Sequence, residues 1–221
     1  QAERQYLLSA IRYVSQVRLV EGPLSPDTLP EVPGVRPDVW VVGDCRANAA
    51  QAAQARARGI AYHVLDRSAA SLTFPTPPLL PSAPGRKKVV VTGCYDWFHS
   101  GHVRFFEEVS AHGDLYVVVG HDANIRLLKG EGHPLFPDRE RRYLASSIRF
   151  VTAALISSGN GWLDAEPEIH RIQPDIYAVN EDGDKGGKRE FCERHGIQYL
   201  VLQRTPAPGL PRRSSTDLRG F

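Results

Sequence analysis

Short β-branched runs alternate along the chain with longer amphipathic stretches, a pattern that predicts strands separated by helices. In the second half, KKVVVTG predicts a strand opening just after Arg86. A helix from about Gly101 to Ala111 follows, then a strand from Leu115 to Val119 and a short helix near Ala123 to Leu128. Beyond these come a helix from Arg141 to Val151, a short strand, a helical stretch, a strand from Ile176 to Val179, a helix, and a strand from Ile197 to Leu202.

That last series occurs twice. Sliding the chain by 137 positions places Glu3 to Arg67 on Glu140 to Arg204 without a gap and gives 21 identities over 65 positions. The first copy predicts a helix from Arg4 to Val14 and strands at Val39 to Val42 and Ile60 to Leu65. Strands that alternate with helices form parallel sheets. The chain therefore reads as a Rossmann-like α/β domain, a parallel sheet flanked by helices, over residues 86–221, preceded by a degenerate half-repeat of the same fold over 1–70. The Pro- and Ser-rich stretch between them, 71–85, reads as a linker.

The chemistry clusters after the first strand of the longer unit. GCYDWFHSGH runs from Gly93 to His102 and leads straight into a helix. A helix start at the carboxyl end of a parallel strand offers free N–H groups and a favourable dipole to phosphate. His99 and His102 stand three apart, so one helical turn presents both imidazoles to a common point, and Gly101 keeps that point open. An isolated H-x-x-H also fits coincidence or the beginning of a zinc site, but no third ligand lies at useful spacing. Lys129, in LLKGEG, has the reach to touch phosphate, although an isolated lysine is normally solvated. Asn180, Glu181 and Asp182 follow the strand IYAV, where acceptors can bind base or ribose; a polar turn is the plain alternative. In the first copy those positions hold Gly43, Asp44 and Cys45. RRSSTDLR makes Ser214 a candidate N-cap, with Ser215 and Thr216 adding hydroxyls to a second anion site.

Taken in order, GCYDWFHSGH, the lysine of KGEG, DRERRY and RSSTDLR resemble the cytidylyltransferase-like nucleotidyltransferases, with spacing similar to glycerol-3-phosphate and ethanolamine-phosphate cytidylyltransferases. The resemblance implies that His99 and His102 act at the α- and β-phosphates beside a backbone cradle of Gly93, Cys94 and Tyr95. It further implies that Lys129 neutralises phosphate charge, that Arg141 takes the family arginine's place at the nucleotide, that Ser214 to Thr216 hold the outer phosphates, and that Asp96 braces the loop. Two departures stand out: the arginine-threonine run is stretched into RTPAPGLPRRSST, and the strand-end motif is NEDG. The implied reaction is transfer of CMP from CTP to a phosphorylated alcohol or sugar with release of pyrophosphate. The alternatives are an ATP-using adenylyltransferase and a nucleotide-binding regulator without turnover; a tRNA synthetase fragment ranks last. Mg²⁺ is expected with the nucleotide, with no protein metal ligands. The half-repeat lacks the H-x-G-H segment and is expected either to be what is left of a truncated first domain or to survive as a decayed structural partner that mimics one side of the family's dimer, so a homodimer or pseudo-dimer is the expected assembly.

Composition narrows the classes. A formal net charge of +2 gives no basic surface for nucleic acid. No apolar run reaches membrane-spanning length, so a cytoplasmic protein is expected. Three scattered cysteines, Cys45, Cys94 and Cys192, imply reduced packing residues. The chain starts at Gln1 and contains no methionine, from which a processed or truncated product is expected.

Overall fold

The computed structural model describes residues 1–20, 22, 25–66, 74–215 and 218. The chain forms two compact units, Val17–Thr73 and a larger one that joins Gln1–Gln16 to Phe74–Phe221. Their boundaries differ from the division at 70 and 85 expected above, because the first helix, α1 (Ala2–Ser9), packs with the larger unit.

The smaller unit carries β1 (Val39–Gly43), α2 (Ala49–Ala57) and β2 (Ala61–Leu65), with β1 and β2 parallel. Asn48 caps α2 by accepting from the N–H groups of Ala50 at 2.9 Å and Gln51 at 3.1 Å. The strand and helical stretch expected before β1 do not form among the described residues. In the second copy that strand pairs with a neighbour for which the half-repeat has no counterpart. The helical stretch is broken by Pro33 and Gly34, which stand where the second copy has His170 and Arg171.

The larger unit contains β3 (Lys88–Gly93), α3 (Ser100–Ser110), β4 (Asp114–Val119), α4 (Asp122–Lys129), α5 (Asp138–Ser146), β5 (Val151–Ile156), α6 (Glu166–Ile172), β6 (Ile176–Asn180), α7 (Lys188–His195) and β7 (Gln198–Leu202). Its five strands are all parallel in the order β5-β4-β3-β6-β7. Alternation along β3 divides the core. Val89 and Val91 pack with Val103 and Phe106 of α3 and Ala145 of α5, while Val90 faces Ile169 of α6 and Phe191 of α7. Both faces of the sheet are therefore covered, as a parallel sheet requires. The chain steps outward from β3 to β5 and then returns beside β3 as β6, so a crevice opens between the carboxyl ends of β3 and β6.

Residues 74–85 do not behave as a free linker. Leu80 N donates to the Thr152 carbonyl of edge strand β5 at 3.3 Å, and Arg142 reaches the Phe74 carbonyl at 2.9 Å and Thr76 Oγ1 at 2.6 Å. Ser82 Oγ donates to Asp114. Prolines lack the N–H a ladder needs, but their carbonyls accept from arginines, so this stretch straps the sheet edge.

The 137-residue offset recurs in the coordinates. Adding it to β1, to the 3₁₀ turn Asp44–Arg46 and to β2 gives the bounds of β6, of the turn Glu181–Gly183 and of β7. The registers agree as well, Val39 opposite Ala61 and Ile176 opposite Gln198. Helices α1 and α5 stop at Ser9 and Ser146, earlier than the expected Val14 and Val151. The residues that follow each helix meet in an antiparallel bridge between Ile11 and Ile148. Among the described residues, no helix is long and apolar enough to cross a membrane.

Candidate active site

The crevice at the switch point is a cleft of about 250 Å³ lined by Gly93, Cys94, Tyr95, Gly101, His102, Lys129, Asn180, Asp182 and Ser215 among others. Residues from five separate sequence segments thus meet where the topology demands a ligand.

Its floor is built by the turn after β3. Tyr95 adopts φ +53° and folds its buried ring back beneath Gly93. A Cβ on Gly93 would lie 2.8 Å from Tyr95 Cζ, so glycine is required there by the tyrosine packing. Asp96 fixes the far side of the turn by accepting from Leu135 N at 2.9 Å and Phe136 N at 2.9 Å, the bracing role expected of it.

The two histidines form the start of α3. His99 is the N-cap and its Nδ1 accepts from Gly101 N at 3.1 Å, while His102 Nδ1 accepts from His99 N at 3.4 Å. Because both Nδ1 atoms are acceptors, each neutral ring carries its proton on Nε2. The rings stack with 4.0 Å between centroids. Only His102 lines the cleft; His99 is 3% exposed and works from behind as the cap. A Cβ on Gly101 would lie 2.9 Å from His99 Cε1, so this glycine makes room for the capping ring. Burial, then the neighbouring His99, Arg204 and Lys129, hold the His102 pKa well below the ordinary histidine value. His102 is consequently a neutral donor at pH 7.

Lys129 ends α4 and projects into the cleft, with Gly130 in the left-handed region just after it. Opposite, Asn180 Oδ1 is buried, lines the cleft, and has no protein hydrogen-bond partner among the described residues. A buried acceptor without a protein partner is open to a donor from solvent or a ligand. Asp182 is held by Arg204 Nη1 at 2.5 Å. Ser215 Oγ donates to the Trp97 carbonyl at 3.4 Å, which brings the C-terminal segment to the β3 turn.

Besides His99, three residues expected at the nucleotide do not line the cleft. Arg141 does not reach the cleft: it is 1% exposed and donates to the carbonyls of Phe136, Cys94 and Gly120 at 2.8, 2.6 and 2.9 Å and to Asp122 Oδ1 at 2.6 Å. A guanidinium so engaged ties together the ends of β3 and β4 and the start of α4 from beneath. Glu181 turns away, exposed, toward Arg212 at 3.6 Å. Ser214 accepts Leu218 N through its carbonyl at 3.3 Å and does not line the cleft. Thr216 lies outside the described residues. Cys94 lines the cleft as a thiol, since burial raises its pKa, and so is no nucleophile.

Sequence reasoning missed Trp97, Phe105, His133 and Arg204, which also line the cleft. Arg204 had a signal: it stands two residues after β7 and recurs in the first copy as Arg67. Among the described residues, the group of side chains placed to hold a metal is Glu166, His170 and His195, all exposed, and none lines the cleft. His99 and His102 are not members of that group.

Comparison with known proteins places the chain in a family. Residues 90–220, more than half the chain, match the family described as cytidylyltransferase-like. The chain belongs to that family of nucleotidyltransferases. It is 34% identical over 120 residues to the FAD synthase of Ferroglobus placidus, covering 53% of this chain and 75% of that protein. A second FAD synthase, from Methanocella paludicola, is 32% identical over 136 residues, covering 60% of this chain and 93% of that protein. The bifunctional protein HldE of Desulfatibacillum aliphaticivorans is 33% identical over 121 residues, covering 53% of this chain and 24% of that protein. A solved structure, the lipopolysaccharide core biosynthesis protein of Thermoplasma volcanium, is 24% identical, with a TM-score of 0.46 and coverage of 56% of this chain and 99% of that one.

Proposed function

We propose that this nucleotidyltransferase moves AMP from ATP to a phosphorylated small molecule and releases pyrophosphate. The observation that carries the reading is the convergence of a neutral His102 donor, Lys129 and the Gly93 turn on one cleft at the switch point. The choice of ATP, which departs from the CMP transfer first expected, is supported by relatives at 32–34% identity that are named FAD synthase. By that reading FMN is the first acceptor to test.

In the proposed reaction an acceptor phosphate oxygen attacks the α-phosphorus in line. A new P–O bond forms, the α–β P–O bond breaks, and its electron pair leaves with pyrophosphate. No protein nucleophile takes part, so catalysis comes from positioning and from stabilising charge. The Nε2–H of His102 donates to phosphoryl oxygens as negative charge grows on them. Lys129 and Arg204 supply positive charge at the same cleft. Asn180 Oδ1 accepts from the exocyclic amine of the base.

Magnesium is expected to arrive with the nucleotide rather than on protein ligands. Of the two carboxylates that line the cleft, Asp182 pairs with Arg204 and Asp96 accepts from the backbone N–H groups of Leu135 and Phe136. The ion belongs with the substrate, bound to phosphate oxygens and water.

CMP transfer from CTP is the second reading, favoured by the order of the motifs from GCYDWFHSGH to RSSTDLR. Cytosine and adenine both present an exocyclic amine to Asn180, so the test is direct. Pyrophosphate release is followed with each nucleotide against FMN and a panel of alcohol and sugar phosphates. The proposal expects turnover with ATP above CTP; turnover with CTP alone installs the second reading, and tight nucleotide binding without product from any acceptor leaves a regulator.

A further inference from the structure

The bridge between Ile11 and Ile148 is symmetric under exchange of the two sequence copies. Arg12 N donates to the Ser147 carbonyl at 2.8 Å, and Arg149 N donates to the Ala10 carbonyl at 2.8 Å. Arg12 Nη2 reaches the Val151 carbonyl at 2.5 Å, and Arg149 Nη2 reaches the Val14 carbonyl at 2.6 Å. Each residue is exchanged with its partner by the 137-residue offset: Ala10 with Ser147, Ile11 with Ile148, Arg12 with Arg149, Val14 with Val151. Such reciprocity defines a local two-fold axis and is the signature of an isologous contact between like surfaces. Residues 10–14 therefore pair with residues 147–151 as a second copy of that segment would in a homodimer.

One side chain of this stand-in goes further. Glu3 accepts from Ser100 Oγ at 2.6 Å, and Ser100 is the helical residue between His99 and Gly101. The same carboxylate takes Arg213 Nε at 3.1 Å and Nη2 at 2.9 Å, two residues before the cleft-lining Ser215. Those charge-assisted bonds also hold the Glu3 carboxyl below its ordinary range, Arg213 foremost and Ser100 next. The Arg213 carbonyl in turn accepts Arg204 Nη2 at 2.8 Å, which connects the clamp to a cleft cation.

We infer that α1 substitutes in cis for a second catalytic unit and that Glu3 is a positioning residue, clamping the start of α3 to the 204–215 segment so that both anion-binding elements face one nucleotide. The inference rests on the nucleotide reading for its consequence but on geometry for its content. Glu3 does not line the cleft, so it acts through Ser100 and Arg213.

The test uses the full chain with Glu3→Gln, Arg213→Ala, the double variant, and Tyr6→Phe as a control. Tyr6 lies on the same helix and donates to Glu107 Oε2 at 2.8 Å, away from the clamp. Glu3→Gln should raise the KM for ATP about tenfold with kcat within about twofold, as expected for loss of a bidentate charged pair. Amide hydrogen exchange at 204–215, measured without nucleotide, should quicken by a similar factor. The double variant should be no worse than Glu3→Gln, and Tyr6→Phe should leave KM and exchange unchanged. Unaltered KM and exchange in Glu3→Gln would overturn the inference, as would a Tyr6→Phe variant with the same defect, because docking of the helix would then be the whole effect. If the wild-type chain binds no nucleotide the functional reading falls, while hydrogen exchange still decides whether Glu3 holds the segment.

Discussion

The imidazoles of His99 and His102 stack at 4.0 Å between centroids, and each turns Nδ1 to a backbone N–H at the start of α3. One hydrogen-bond pattern thus fixes both tautomers and divides the labour. His99 organises the helix start, and His102 lines the cleft with its proton on Nε2.

Replacing His102 with Ala removes a donor aimed at developing charge. A loss of about 100- to 1,000-fold in kcat is expected, with the fold retained. Steady-state pyrophosphate release beside a circular-dichroism melt checks it, and a rate near wild type would remove His102 from the mechanism.

Gly101→Ala tests the cap itself. The new Cβ would press on a ring that is already pinned, 2.9 Å from Cε1 and 3.0 Å from Nδ1. A destabilisation of about 1–3 kcal/mol is expected from overpacking, together with a fall in kcat because His102 hangs on the same turn. Urea denaturation and turnover of one preparation measure both.

Arg141 should behave as a structural residue. Arg141→Ala leaves Asp122 and three carbonyls without their partner, at a cost of about 3–5 kcal/mol. Equilibrium denaturation reads the loss; a variant of wild-type stability with only a raised nucleotide KM would restore Arg141 to the nucleotide.

The His102 pKa also predicts a pH dependence. Above pH 6.5 the ring is neutral in both folded and unfolded chains and contributes nothing. Below it the unfolded chain takes up a proton that the folded site refuses, so folding stability falls by about 1.4 kcal/mol per pH unit until the depressed folded pKa is reached. His102→Gln lacks this loss. The stability of the wild type relative to the variant should therefore decline as pH drops from 6.5 to 5, with the histidines outside the His99–His102 stack cancelling. A pH-independent difference would show that burial does not depress His102.

Much of this was legible beforehand because it depends on local signals. The β-branched runs of β3, β4 and β6 and the strand-turn-helix around His99 placed the cleft, and the self-similarity at 137 residues located β1 and β2. What was hidden depends on long-range partners. Arg141 reads as a binding residue until four acceptors are seen around it. Residues 74–85 read as a linker because proline cannot propagate a ladder, yet their carbonyls find Arg142 and Arg12. The strand expected after α1 fails because no β4 counterpart lies beside it, a matter of topology that periodicity does not carry.

The central claim is that this cleft transfers a nucleotidyl group from a triphosphate to a phosphorylated acceptor. Incubation with ATP labelled at the α-phosphorus, with Mg²⁺ and FMN, tests it most directly. Label appearing in a new acceptor adduct, with equimolar unlabelled pyrophosphate, is the predicted result, and it should vanish in His102→Ala. Label that stays in ATP or emerges only as AMP, with CTP giving the same outcome on every acceptor, would contradict the account.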